Sequence, residues 1–320
     1  MGTRSSVLAV GCLLVVACGG ASAGASPPGS GAVAGPDAAA PRYAVKLDRA
    51  QRAGQRWRVR ARSRHEVSTS LGEDAPPPLA ELGFDEVRSA DLTAVVTVLE
   101  VSAEGREVRT EYVVERLRVD LGEGTYEPLT PGARIVVTRG DPPTITVDGT
   151  TAPDRLVETL ELVLETGEDL DDDAVFGTDV LQPVGGSWPI DQDAARADFI
   201  DLTPGSPVGA LEGTMQLVER ISVAGRPALR VRGYLRAREL RLEELPAAEV
   251  THAAVYLQVE GVYPVDPSLH EVSARYKLSS SLTVRPEGEL GLLGQLELRL
   301  SEEVTQTFEA LPDRAGAPAP

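Results

Sequence analysis

Arg56-Trp57-Arg58-Val59-Arg60-Ala61-Arg62-Ser63-Arg64-His65-Glu66-Val67 decides the fold class. Trp57, Val59, Ala61, Ser63, His65 and Val67 alternate with Arg56, Arg58, Arg60, Arg62 and Arg64, a period of two. An extended chain places such sets on opposite faces, whereas a helix would mix them, so the stretch reads as a long strand with one wet face. The same pattern recurs where Leu229, Val231, Gly233, Leu235 and Ala237 alternate with Arg230, Arg232, Tyr234, Arg236 and Arg238.

Outward from these stretches the period persists. Leu92 to Ser102 and Arg106 to Leu121 flank Ala103-Glu104-Gly105, a hairpin signal. The second of these strands changes phase, from Val108, Tyr112 and Val114 to Leu117, Val119 and Leu121. A bulge is therefore expected near Glu115. Pro76-Pro77-Pro78 breaks the chain, and the stretch to Ser89 reads as a loop or a short irregular helix. Asp141-Pro142-Pro143 marks another turn. Val255–Tyr263 and Val272–Val284 follow, joined through Pro264 to Pro267. A last strand carries Leu296, Leu298, Leu300, Val304 and Phe308, interrupted by Glu302 and Gln306. One helix stands apart, at residues 153–165: Thr151-Ala152-Pro153-Asp154 has the form of a capping box, and Leu156, Leu160, Val163 and Leu164 follow helical spacing up to Gly167.

These elements predict a mainly β protein: long antiparallel meander strands in a curved or half-barrel sheet, covered by one amphipathic helix. Two related halves are expected, residues 42–174 and 175–311. Gly54-Gln55-Arg56-Trp57 opens the first and Gly185-Gly186-Ser187-Trp188 the second, and each is followed by a Ser-x-x-Gly-Arg hairpin, at Ser102 and Ser222. Residues 312–320 read as a disordered tail.

The N-terminus carries an address. Arg4 precedes an apolar run from Val7 to Ala17 that is too short to span a bilayer. It ends in Val15-Val16-Ala17-Cys18, which resembles the lipobox of bacterial lipoproteins. The resemblance implies cleavage before Cys18, residues 1–17 being the signal peptide, and palmitate and diacylglycerol on that cysteine. Cys12 is the competing candidate, but cutting there would leave an apolar run of barely two turns. With Cys12 removed the mature chain has one cysteine, so no disulfide can support the fold. Residues 18–41 form a Gly/Ala/Ser/Pro tether with one charge, Asp37. Gly19 stands where the family places an Asp in proteins retained at the inner membrane, which implies the outer membrane, on a periplasmic or surface face. Pro183-Val184-Gly185-Gly186-Ser187-Trp188 resembles a segment in an uncharacterised family of secreted β-rich bacterial lipoproteins, which adds architecture and address but no chemistry.

A net charge of −18 argues against nucleic acid as a partner, because such binding runs on clustered cations. No nucleophile elbow, phosphate loop or dinucleotide fingerprint is present. His65, His252 and His270 lack second ligands at metal spacing. The expectation is thus no enzyme, no cofactor and no metal, with His65 a packed histidine. The acidic run Glu168 to Asp173, with Asp179 beyond, reads either as a calcium loop or as a solvated charge run. The Arg56–Arg64 stripe reads either as an anion-binding face or as a wet face paired with Glu107, Glu111 and Glu115. Two functions remain. The first is a lipid-anchored carrier enclosing an apolar or amphiphilic ligand, with Trp57, Trp188, Leu156, Leu160 and Leu164 lining the interior. The second is an interaction lipoprotein docking on an envelope assembly.

Overall fold

The computed structural model describes residues 41–71, 83–140, 142–164, 172–202, 209–238, 248–286 and 295–313. Cys18, the tether, Gly167 and most of the acidic run therefore lie outside the described residues.

The chain builds one open antiparallel sheet of 13 strands, curved and not closed into a barrel. Its long members are β2 (Arg56–Leu71), β3 (Phe84–Val101), β4 (Glu107–Asp120), β11 (Ala210–Val223), β12 (Arg226–Arg238), β13 (Ala248–Pro264), β14 (Ser273–Pro286) and β15 (Leu296–Leu311). Short strands complete it: β5 (Thr125–Tyr126), β6 (Arg134–Thr138), β7 (Thr144–Val147), β8 (Thr150–Thr151) and β10 (Ser187–Pro189). The spatial order runs β10-β11-β12-β13-β14-β15-β2-β3-β4-β6-β7-β8, with β5 on β4. Two meanders are thus fused where the last strand meets the first long one, and β15 pairs with β2 from Leu296↔Leu71 to Leu311↔Arg56 without a break. A separate ribbon joins β1 (Arg42–Val45) to β9 (Thr178–Pro183).

Alternation along the strands sets the layers. Trp57, Val59 and Ala61 are buried while Arg58, Arg60 and Arg62 face outward. Two apolar clusters form on the inner face. One gathers Leu92, Val96, Leu117, Ile135 and Leu160, and the other Met215, Leu217, Val231, Leu235 and Tyr263. Val45 and Leu47 pack into the second cluster, so the first residues of the N-terminal half complete the core of the C-terminal half. The expected bulge is found: Thr93 faces Arg116 and Ala94 faces Val114, which leaves Glu115 as the extra residue.

Three expectations need correction. Phe84 to Arg88 belong to β3, because they pair with β2 instead of forming a loop. The helix α1 is Asp154–Leu160 and gives way to a turn at Glu161, shorter than 153–165. No capping box forms: Pro153 is the cap residue with no side-chain bond, since Thr151 is held in β8 against Thr146. Two further helices, α2 (Asp172–Phe176) and α3 (Gln192–Leu202), lie between β8 and β11.

The glycines before the tryptophans have one physical role. Gly54 (φ 83°) and Gly185 (φ 85°) adopt a left-handed conformation that other residues resist, and each turns the chain into a strand carrying a buried indole. Both tryptophan strands precede a strand that enters the Ser-x-x-Gly-Arg hairpin, β3 to β4 and β11 to β12.

Candidate functional site

A groove of about 1160 Å³ opens at the middle of the sheet, where the two meanders join. Its lining comes from six adjacent strands, β12 to β15 with β2 and β3. Arg236, Tyr256, Ser279, Ser301, Glu66 and Val87 form one row of directly paired residues across it. By alternation these side chains sit on the face opposite Trp57 and Leu235, turned away from both cores. Five steps between strands give a span of roughly 24 Å if the row were flat.

Side-chain size explains why a groove exists there. Ala254, Ser279, Ser281, Ser301 and Ser68 occupy the centre, and each is small. Taller residues stand around them, Arg236, Arg238 and Tyr256 toward β12 and Glu66, Asp85 and Val87 toward β3, and Arg299 rises between Ser281 and Ser68. The Tyr256 ring lies 6.0 Å from that of Tyr234, beside the basic end. Val67, Val250, Val255 and Leu300 also border it, but by alternation their side chains belong to the inner face.

Charges stand at both ends and at the centre. Arg238 is held by Glu212 at 2.8 Å at the β12 end, and Arg299, in the middle between Ser281 and Ser68, by Glu297 at 3.1 Å. Arg236 makes no ion pair among the described residues. At the other end Glu66 pairs with Arg64 and Asp85 stands beside it, whereas Glu86, which accepts from Arg88 at 2.7 Å, follows the inner phase of β3. The groove therefore offers, among the described residues, a guanidinium without an ion pair at its basic end, a hydroxyl-rich floor crossed by the paired Arg299, and the apolar surface of Val87 and Tyr256.

Beneath that floor, on the inner face, the apolar pattern fails. Ser63, His65, Glu302 and Gln306 are all buried, with Glu302 directly opposite His65 in the β15–β2 register. His65 Nε2 lies 3.4 Å from Glu302 Oε1, long for a good hydrogen bond. Ser63 Oγ and Gln306 Oε1 have no hydrogen-bond partner among the described residues. Burial pushes the Glu302 carboxyl up to about 7. Burial, with the Arg88 charge, pushes His65 down to about 4. Desolvation thus disfavours both ions, and between those values carboxyl and imidazole meet as neutral groups. His270 is likewise pushed down to about 4 by burial, its ring packed between Trp57 and Phe308 at 4.2 and 4.5 Å.

The residues singled out from sequence go elsewhere. Trp57 and Leu160 pack in the first core, where Leu164 is also buried and Leu156 lies at the margin. Trp188 packs in the second, its indole N–H donating to the Phe176 carbonyl at 2.9 Å. None of the five lines the groove. In the arginine stripe, Arg58 pairs with Glu115 and Glu309, Arg62 with Asp91, and Arg64 with Glu66. Arg56 and Arg60 have no ion pair among the described residues. Glu111 and Glu107 serve Arg134 and Arg139 instead. The described acidic residues are tied to the body: Lys46 bridges Asp173 and Asp179, and Asp172 accepts from the Tyr276 hydroxyl of β14.

No family model and no curated protein matches the chain. Among solved structures, a lipovitellin structure titled for its lipid–protein interactions overlaps 83% of this chain and 26% of its own, with 8% identity and a TM-score of 0.33. The chain thus spans about a quarter of that protein. Pseudomonas aeruginosa OccK2 (OpdF) in complex with glucuronate overlaps 82% of this chain and 99% of its own, with 6% identity and a TM-score of 0.15. Likeness at this level leaves function to be argued from the groove.

Proposed function

We propose that the protein is a non-enzymatic, lipid-anchored envelope protein that carries an amphiphilic ligand in the groove of its sheet. The groove itself carries the reading: it exceeds the usual range for small-molecule sites, which ends near about 1,000 Å³. Its mixed lining suits a ligand with both an anionic group and an apolar body. The anionic group goes to Arg236, whose planar donors match carboxylate or phosphate. The apolar body lies along Val87 and the ring of Tyr256. The interior is not the ligand chamber in this reading, because the tryptophans and the helix face are committed to core packing.

The test is native purification with mass spectrometry of co-purifying lipids, followed by calorimetric titration of an anionic lysophospholipid. Saturable binding that weakens about tenfold in Arg236→Glu is the expected result. Tryptophan fluorescence would be a poor reporter, since both indoles are buried away from the groove. The rival reading, docking on an envelope assembly, is favoured by the packed placement of the five interior residues. A flat titration with a stoichiometric protein partner in the eluate would select it.

The address rests on Val15-Val16-Ala17-Cys18, with Gly19 supporting the outer membrane. Cys18→Ser should abolish palmitate labelling. Label that persisted in this variant would remove the anchor.

A further inference from the structure

We infer that the β1–β9 ribbon is a membrane-contact element, with Val180, Leu181 and Val184 seated in the interface of the bilayer that holds the lipid anchor. The inference rests on the anchor reading given above and adds an orientation to it.

Three observations point there. First, Val180, Leu181 and Val184 are 70%, 53% and 47% exposed, three of the few large apolar side chains left in water, and they fall within five consecutive residues. Val180 and Leu181 lie where the β1–β9 register shifts, between the partners of Tyr43 and Val45, and stay exposed although Tyr43 and Val45 of the same ribbon pack on the second core. Clustered exposed aliphatics on a soluble body mark a protein or membrane contact.

Second, the backbone beneath them is fixed. β1 pairs with β9 through Arg42↔Pro183 and Tyr43↔Gln182. The turn after β9 is tied to the main sheet, because the Gly185 N–H donates to the Leu217 carbonyl at 2.7 Å and the Leu217 N–H to the Gly186 carbonyl at 2.9 Å. The apolar side chains are presented by a braced edge.

Third, the chain outside the described residues ends at this ribbon. Pro41 leads into β1, and Arg42 is the register partner of Pro183, one residue from Val184. Residues 19–41 alone separate Cys18 from β1, so an anchor at Cys18 attaches to the body at this edge. Arg42 is exposed beside the patch and suits a headgroup phosphate. The strong negative charge of the whole body limits the contact to this edge and favours zwitterionic over anionic lipid.

The mature chain leaves a thiol free for labelling only where one is introduced, since Cys18 is acylated. The experiment places an environment-sensitive fluorophore on Leu181→Cys in the lipidated protein, reconstituted in phosphatidylcholine vesicles. A second sample carries it on Tyr126→Cys, an exposed residue at the far end of the sheet. The expected result is a blue shift and severalfold brighter emission at position 181 only, quenched by lipid carrying a spin label near the headgroup. A water-like signal at 181, with mass spectrometry showing the acyl chains in place, overturns the contact while leaving the anchor intact. A blue shift that appears equally in detergent without vesicles and grows with protein concentration assigns the patch to a second copy instead. Absence of acyl chains by mass removes the anchor and this orientation with it.

Discussion

Replacing Glu302 by Gln is expected to stabilise the protein at pH 8 by about 3 kcal/mol and to change little at pH 4. In the folded chain the carboxyl keeps its proton up to about 7, against an ordinary value of 4.5. Unfolding between those values therefore releases a proton, and stability falls as pH rises through the window. The favourable contribution is complete below 4.5 and gone above 7. A shift of that size at about 1.4 kcal/mol per unit gives the figure quoted. Gln holds the same shape without a charge to bury. The histidines act with the opposite sign. His65 and His270 stay neutral to about 4 when folded but gain a proton near 6.5 when unfolded, so their contribution is lost as pH falls through that range. Chemical denaturation at pH 4, 6 and 8 separates the effects, because the difference between wild type and variant contains only the carboxyl. Equal stability of the two proteins at pH 8 would show that Glu302 is solvated.

Gly261→Val is expected to cost about 3 kcal/mol or more, and to abolish the cooperative thermal transition if stability is already modest. Tyr263 is almost wholly buried and lays its ring across Gly261, two residues back on β13. Any Cβ at 261 would collide with the edge of that ring and with its hydroxyl. The ring cannot move cheaply, because Arg49 stacks over it at 5.5 Å and donates to the Pro264 carbonyl at 3.1 Å and the Lys46 carbonyl at 2.8 Å. Displacing a buried aromatic forfeits most of its burial and leaves the guanidinium without its platform. Gly225→Val is the control. It tolerates the added volume, with nothing near its Cβ, and carries only the backbone strain of its φ of 78°. A thermal midpoint no lower for Gly261→Val than for this control would refute the packing account.

Much of the sheet was legible because its periodicity is local. Alternation placed the core side of β2 and β12, and the phase change in β4 pointed near Glu115, which is the extra residue. His65 fell on the apolar side as read, and is buried there. The groove was not legible for a physical reason. Its floor brings together Ser68, Ala254, Ser279, Ser281 and Ser301, which are ordinary within their own strands and become a concavity only when the register aligns them. The run Ser279-Ser280-Ser281, at mid-strand where bulk is usual, was the one local signal available. Glu302 and Gln306 were read as interruptions of the last strand, whereas they keep its inward phase and carry polar groups into the protein. The capping box was over-read because Thr151, in β8, has a competing partner in Thr146 of β7, which no pattern within the helix reveals.

The seam between β15 and β2 has a consequence for the order of events during synthesis. β2 is made early, and its outer partner is the last long strand of the chain, more than 200 residues later. Until β15 arrives, β2 presents a 16-residue row of unpaired peptide groups, an invitation to any other nascent strand. Two of its five alternating arginines now take on a temporal role. Arg58, Arg62 and Arg64 already find Glu115, Asp91 and Glu66 on β2 to β4. The charge that discourages pairing with other copies while this edge waits is therefore that of Arg56 and Arg60, which have no ion pair among the described residues. The strand that finally docks brings Glu309 to Arg58, so the waiting edge is matched in charge as well as in register by the partner it is meant to receive.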